Sequence, residues 1–302
     1  MGVHDGRFAP SPTGDLHLGN LRTALLAWLF ARSAGARFVV RMEDLDRTNA
    51  TRSFEDAQLH DLAALGLEWD APVIRQSERF SLYRDALAAL DARGLVYPCY
   101  CTRREIREAA GAPHGPEPEG AYPGTCRELT ARGRTAREAE GRRPALRLRS
   151  GDVPVSFVDR LCGPYTGRVD DVVLCRNDGV PAYNLAVVID DDALDVGEVV
   201  RGDDLLSSTP RQLHLIELLG LRAPTYAHVP LVLGRDGARL AKRHGAVTLG
   251  DLARTGWNAH AVRSMLAASL GLCDPHESVT PAELVTRFDE RRLPRAPWTF
   301  ES

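Results

Sequence analysis

Lysine is almost absent from this chain. Of 38 basic side chains, 37 are arginine and only Lys242 is lysine. An ammonium is a compact point charge on a flexible stem, whereas a guanidinium is a broad planar fork. The exception sits in Gly234-Arg-Asp-Gly-Ala-Arg-Leu-Ala-Lys-Arg-His-Gly245, a basic, glycine-rich loop after the apolar run Val229 to Leu233. On composition alone, a position that needs an ammonium and a chance survivor on a solvated loop stand level. Long apolar runs are missing too. None approaches the roughly 20 residues of a membrane-spanning helix, so a membrane protein of that type is excluded. The opening Met1-Gly-Val-His-Asp-Gly-Arg7 lacks the basic-then-apolar layout of a signal peptide, which makes the cytoplasm the default compartment. Nor is there a charge surplus. At a formal net charge of −3, any nucleic-acid partner must meet a local patch. There is no internal repeat and no heptad array.

What is present reads as an ordinary soluble globular protein, with 44% hydrophobic and 26% charged residues. A length of 302 residues allows one large domain or two modest ones. Of six cysteines, Cys99, Cys101 and Cys126 cluster, while Cys162, Cys175 and Cys273 are scattered. In a reducing compartment the cluster suggests a metal, and the others read as small buried apolar residues.

The patterning predicts a strand over 6–10, a Pro/Gly turn, and a helix over 17–34 with Leu21, Leu25, Trp28 and Leu29 at helical spacing. A buried-type strand from Arg37 to Met42 follows, then helices over about 52–65 and 78–93. This β-α-β-α order predicts an α/β fold with a doubly wound parallel sheet. Residues 1–96 are its first half. Residues 97–180 read as an insertion holding the cysteine cluster, a Gly/Pro-rich stretch and short strands near 145–149, 154–159 and 170–175. The second half, 181–247, takes a strand at 182–190, a helix from about 210 to 219, capped and with proline in its first turn, and a strand at 228–233. Asp190-Asp191-Asp192 reads as a polar turn after a buried strand rather than as a metal site. A short segment, 248–302, carries a helix near 258–270. Arginines 127, 132, 134, 137, 142, 143, 147 and 149 form a basic run interrupted by Glu128, Glu138 and Glu140. Contact with RNA phosphates and a solvated face are both open.

The strongest local signal is Arg7-Phe-Ala-Pro-Ser-Pro-Thr-Gly-Asp-Leu-His-Leu-Gly-Asn20. It joins a strand end to a helix start, with His17 and Gly19 where first-turn N–H groups are unpaired and attract phosphate. Glycine there lets a flat base or ribose approach the backbone. The string resembles the "HIGH" signature of class I aminoacyl-tRNA synthetases, in the form used by the glutamyl branch. Arg239-Leu-Ala-Lys-Arg243 resembles the second signature, "KMSKS", with Lys242 at its second lysine. Arg41-Met-Glu-Asp-Leu-Asp-Arg47, Tyr183-Asn184 and Arg201-Gly-Asp-Asp-Leu-Leu-Ser-Ser-Thr-Pro-Arg-Gln212 resemble further glutamyl-synthetase segments. Two departures stand out. Asn20 replaces the last histidine of the first signature, and Ala241 and Arg239 replace the serine and first lysine of the second.

The resemblance implies a class I Rossmann-type nucleotide fold with a zinc-bearing insertion. It implies that Arg7, Phe8, Ala9, Pro10, Ser11, Glu43, Tyr183 and Arg201 form a pocket for L-glutamate. It also implies that His17, Gly19, Asn20 and Lys242 serve ATP carrying Mg²⁺, with His17 and Lys242 catalytic. An arginine grips a carboxylate bidentately, and Glu43 is the natural counter-ion for the substrate ammonium. For the metal, Cys99, Cys101 and Cys126 supply three soft ligands where zinc takes four. Ligand chemistry points to His114 as the fourth, whereas the family's C-x-C…Y-x₃-C pattern implies Tyr122. Only residues 248–302 follow the lysine loop, too few for the helical anticodon-binding domain of the glutamyl synthetases. The chain therefore most resembles the truncated glutamyl-queuosine tRNA(Asp) synthetase family, which loads glutamate onto queuosine in the anticodon of tRNA(Asp). A monomer is the expectation. The rival readings are a minimal glutamyl-tRNA synthetase charging a 3′ end and, on the strength of Ala241, a non-catalytic RNA-binding paralogue.

Overall fold

The computed structural model describes residues 5–102, 104–106, 122–240, 244–245 and 247–301. Ala241, Lys242 and His114 lie outside the described residues. The centre is a five-stranded parallel sheet. Its strands are β1 (Asp5–Phe8), β2 (Phe38–Met42), β3 (Ile74–Arg75), β9 (Val196–Gly202) and β10 (Thr225–Val229), in the order β10-β9-β1-β2-β3. β1 and β2 are buried along their whole length, as strands covered on both faces must be. Helix α1 (Leu18–Ser33) runs back across the sheet and is buried on nearly every side. It lies so close to β1 that a Cβ on Gly6 would sit 2.8 Å from the Cβ of Ala31. Helices α2 (Arg52–Ala64) and α3 (Phe80–Ala92) complete the first half.

Strand order reverses at β1, which has β2 on one side and β9 on the other. In open α/β sheets, ligands bind outside the carboxyl ends of the strands at such a switch point. The sequence brings Arg7 and Phe8 to that point from β1 and Arg201 from β9.

Between the two halves lie two smaller antiparallel units. One contains β4 (Val96–Cys99), β5 (Ala145–Leu148) and β8 (Val173–Cys175). The other is a hairpin of β6 (Val153–Asp159) and β7 (Gly163–Val169). Between β4 and β5 runs helix α4 (Ala131–Ala139), which buries no residue. Much of the arginine run is engaged with acids: Arg127 with Asp171, Arg137 with Glu140, Arg142 with Glu105 and Glu140, and Arg149 with Glu128.

The structure corrects the expectation at 182–190. This segment is helix α5 (Tyr183–Ala193), and the strand of the second half is β9, which follows it. The run Leu-Ala-Val-Val-Ile is buried all round, so periodicity could not separate strand from helix. Asp190-Asp191-Asp192 is accordingly not a turn. Asp190 and Asp191 are the buried inner face of a helix.

After α6 (Thr209–Leu219), β10 and β11 (Val232–Leu233), the tail adds α7 (Leu249–Arg254), α8 (Ala259–Ala268) and α9 (Pro281–Arg287). It closes with β12 (Trp298–Thr299), which pairs with β11. The expected helix near 258–270 is α8. The other two are headed by capping boxes, Thr248 with Asp251 and Thr280 with Glu283. Fully buried Arg22 ties α1 to this tail, donating to the Ser269 hydroxyl at 3.0 Å and to the Pro230 carbonyl at 2.9 Å. Among the described residues no helix is long and apolar enough to cross a membrane.

Candidate active site

A cavity of about 590 Å³ opens at the switch point. Among the residues lining it are Arg7, Phe8, Ala9, Pro10, Ser11, His17, Gly19, Asn20, Glu43, Tyr183 and Arg201. Every expected glutamate- and ATP-site residue is therefore brought to one cavity except Lys242, which lies outside the described residues. Arg239 and Asp204, joined by an ion pair, also line it.

At one end, His17 is the N-cap of α1. Its Nδ1 accepts from the Asn20 amide at 3.3 Å, and Asn20 Oδ1 accepts from the His17 amide at 3.2 Å. Asn20 thus builds the cap. An Nδ1 that accepts a hydrogen bond carries no proton, so the neutral ring carries its proton on Nε2 and can donate from there. Burial, aided by the nearby Arg239 charge, lowers the His17 pKa to about 4. The first-turn amides are only partly free. Leu18 donates to Val247 and Asn20 to His17, and the Gly19 amide meets no acceptor among the described residues. A Cβ there would lie 2.9 Å from His17 Cε1, so Gly19 makes room for the histidine ring.

This fixes a pH dependence. A histidine with its folded pKa depressed to about 4 binds fewer protons than its unfolded counterpart between pH 4 and 6.5. Its contribution to stability is therefore lost as pH falls through that window and is constant above it. We expect the His17 Cε1–H resonance to stay flat from pH 8 to about 5.5 and to move only below, as a pKa so depressed requires. A midpoint near the ordinary value would contradict the capping geometry.

The other end is ionic. Arg41, on β2, is fully buried and reaches Asp191 through Nη1, Glu43 Oε1 at 3.2 Å through Nη2, and Asp190 at 3.8 Å. Asp190 also accepts from Gln76 at 2.8 Å, Arg79 at 2.6 Å and Tyr83 at 2.8 Å. Against the cost of burial, Arg41 and Arg7 hold Asp191 below the usual carboxylate range. For Glu43 burial wins, pushing its carboxyl up despite the same two arginines. Arg7 donates from Nη1 to the Val200 carbonyl at 3.2 Å and from Nε to Asp191 at 3.5 Å, which leaves Nη2 without an acceptor among the described residues. Arg201 is different, because all five of its N–H groups have acceptors. Nε donates to His228 at 3.0 Å. Nη1 donates to Gln212 at 2.8 Å and Tyr183 at 3.3 Å, and Nη2 to Thr209 at 2.8 Å and Leu205 at 3.5 Å. The two arginines are visible in the sequence strings, whereas the Arg41–Asp190–Asp191 network and the cradle around Arg201 carry no local sequence signal.

A second cavity, of about 770 Å³, shares the wall residues Ser11, Glu43 and Tyr183 with the first. It runs toward the cysteines, past Arg142, Arg143, Arg147 and Arg176. Arg147 is buried with its Nε unpaired.

The sulfur atoms of Cys99, Cys101 and Cys126 lie within 4.8 Å of one another. The Tyr122 hydroxyl is 3.3 Å from Cys99 Sγ and 3.6 Å from Cys101 Sγ. Three thiols and a phenol therefore converge, and His114 lies outside the described residues. Burial, with Cys99 and Cys126 alongside, pushes the Cys101 thiol up to about 12, and a cation among the sulfurs would favour its ionised form. The donor set fits a soft divalent metal.

The first strand of a parallel sheet thus leads through a turn to a capped helix, beside a cavity with an ionic end at the switch point of an α/β fold. The chain belongs to the family described as tRNA synthetases class I (E and Q), catalytic domain, which matches residues 5–302. It is 60% identical over 293 residues to the Glutamyl-Q tRNA(Asp) synthetase of Nocardia farcinica, covering 97% of this chain and 92% of that one. It is 51% identical over 304 residues to the Glutamyl-Q tRNA(Asp) synthetase of Symbiobacterium thermophilum, covering 97% and 94%. Among solved structures it resembles a glutamate tRNA ligase from Elizabethkingia meningosepticum in complex with its amino acid. The TM-score is 0.83 and the identity 28%, covering 99% of this chain and 67% of that one.

Proposed function

We propose that the chain activates L-glutamate with ATP and Mg²⁺ and transfers it to queuosine in the anticodon of tRNA(Asp). The supporting observation is a single cavity that joins an amino-acid end, with Arg7 and Glu43, to a phosphate end, with His17 and the Gly19 amide. The substrate carboxylate attacks the α-phosphorus of ATP, pyrophosphate leaves, and glutamyl-adenylate remains. The acceptor nucleophile then attacks the activated carbonyl, and AMP leaves. Neither step needs a protein nucleophile, so the protein's task is positioning and charge neutralisation. Arg7 offers its Nη2 donors to a substrate carboxylate, Glu43 faces the ammonium, and Phe8, Ala9, Pro10, Ser11 and Tyr183 wall the pocket. Neutral His17 donates from Nε2 toward the phosphates. The acceptor approaches through the second cavity, whose arginines suit a nucleotide. The enzyme acts as a cytoplasmic monomer. Its catalytic halves are 1–96 and 181–247, its insertion is 97–180 and its short helical segment is 248–302.

Lys242 supplies the positive charge on the departing pyrophosphate, by its match to the second lysine of the loop signature. Arg239 holds the neighbouring motif position and is tied to Asp204. The expected result is asymmetric. In glutamate-dependent pyrophosphate exchange, Lys242→Arg loses about 100-fold or more in rate, in the range of removing one transition-state donor. Arg239→Lys changes it little. Exchange at the parental rate in both would remove the role given to Lys242, and absence of any glutamate-dependent exchange in the parent would overturn the activation reading.

In the insertion, Cys99, Cys101, Cys126 and Tyr122 hold one zinc ion, which when bound supplies a closed structural cross-link. Among the described residues the small cluster here is Tyr97, Tyr100 and the ligands themselves, with Ile106 and Leu129 packed against it. Purified protein is expected to contain one zinc per chain by elemental analysis. Cys101→Ser should lose it and should make the Tyr97–Cys126 segment protease-sensitive. Stoichiometric zinc retained in the double variant Cys99→Ser/Cys101→Ser would place the ion elsewhere.

A further inference from the structure

Arg201 does not stand alone in the pocket wall. His228 lies directly opposite it on the neighbouring strand β10, so the two side chains share one face of the sheet. Arg201 Nε can only donate, so His228 Nε2, 3.0 Å away, must carry a lone pair. The Thr209 hydroxyl accepts from Arg201 Nη2 at 2.8 Å and lies 3.2 Å from the same Nε2. The proton of the imidazole is therefore on Nδ1, which meets Asp159 Oδ2 at 2.6 Å. Asp159 is itself fixed by the backbone amides of Leu161, Cys162 and His228. Although burial opposes ionisation, His228 and these amides hold its pKa at about 2, so it stays an acceptor. The ring of Tyr226 stacks on His228 at 5.9 Å with the planes 8° apart, and Arg201 sits over that ring at 5.3 Å. His228 is fully buried and lines neither cavity. Asp159 comes from the end of the β6–β7 hairpin, outside the central sheet.

Resting on the glutamate reading of this pocket, we propose that His228, with its tautomer set by Asp159, is a positioning residue that fixes the Arg201 guanidinium for the substrate carboxylate. The hydrogen-bond lengths divide the five donors into two sets. The short bonds, to His228, Gln212 and Thr209, hold the group. The long ones, 3.3 Å to Tyr183 and 3.5 Å to Leu205, use one donor on each terminal nitrogen. A carboxylate that displaces these two weak partners receives a two-pronged grip without disturbing the rest. A donor at His228 Nε2 would instead oppose Arg201 Nε and turn the fork away. The hairpin thereby reaches the amino-acid pocket through three side chains.

The test measures glutamate and ATP dissociation constants separately, by equilibrium dialysis with labelled ligands, on the full-length protein and three variants. His228→Leu removes the acceptor facing Arg201. His228→Gln keeps a carbonyl oxygen that can face Arg201. Asp159→Asn replaces an obligate acceptor with a group that can donate, which reverses the tautomer. We expect His228→Leu and Asp159→Asn to weaken glutamate binding about 10- to 100-fold, the scale of a misplaced binding group. ATP binding should shift less than about twofold, since the positioning acts only on the carboxylate clamp. His228→Gln should recover most of the loss. If His228→Leu does not fold, the ratio of Asp159→Asn to His228→Gln carries the same comparison. Equal losses for both ligands, or a Gln variant no better than Leu, would make the relay merely structural and overturn the proposal. A parent that binds no glutamate would overturn the pocket assignment, and this inference with it.

Discussion

Arg41→Met should destabilise the protein by about 3–5 kcal/mol, the cost of breaking a buried ion pair by removing one partner. Arg41 is fully buried and is the group around which Glu43, Asp190 and Asp191 are gathered. Among the described residues, methionine fills much of the volume but leaves Glu43 with no hydrogen-bond donor and Asp191 with only Arg7 at 3.5 Å. Asp190 suffers less, since Gln76, Arg79 and Tyr83 still donate to it. Urea unfolding would show the loss as a lower midpoint at an unchanged slope. Adding Asp191→Asn to Arg41→Met should recover part of the loss, because it removes one of the stranded charges, and such neighbours couple. Parental stability in the single variant would mean that the network contributes nothing to the fold.

The second large effect is on binding. Arg7→Gln should raise the glutamate KM in pyrophosphate exchange by about 100-fold or more, since truncating a hydrogen-bonded, desolvated charge partner costs roughly 2–5 kcal/mol. Among the described residues Arg7 Nη2 meets no acceptor, whereas Arg201 must release partners before it can bind. Arg7 is also anchored by the Val200 carbonyl and Asp191, so its guanidinium enters the reaction already oriented. The ATP KM should change little, because Arg7 lies at the ionic end and His17 at the other. A variant with both constants at parental values would remove Arg7 from the pocket's chemistry.

The contrast between Arg7 and Asp191 shows what the sequence could and could not reveal. Arg7, Ser11, His17 and Gly19 sit in one contiguous string, and the strand-turn-helix signals around them suffice to place them together. Arg41, Asp190 and Asp191 are separated by about 150 positions and meet only because α5 lies beneath the sheet. Reading that helix as a strand hid the meeting, since the same apolar run serves either element when it is buried all round. Three adjacent aspartates also look like solvent-facing polar residues until buried partners are known, because carboxylates are rarely buried unpaired. The true neighbour of β1, Val196–Gly202, carries glycine and glutamate among its valines and lacks the continuous apolar run of a buried parallel strand. The two extra tail helices were legible, by contrast, in Thr248-x-x-Asp251 and Thr280-x-x-Glu283. Of the expected metal ligands, Cys99, Cys101, Cys126 and Tyr122 do converge, from spacing and family pattern alone.

The most direct measurement supplies the protein with ATP, labelled glutamate and tRNA(Asp), with and without queuosine. Label is expected on the queuosine-containing tRNA only, released by treatments that cleave an ester and unaffected by prior removal of the tRNA 3′ end. Equal labelling of unmodified tRNA(Glu) at its 3′ end would contradict it.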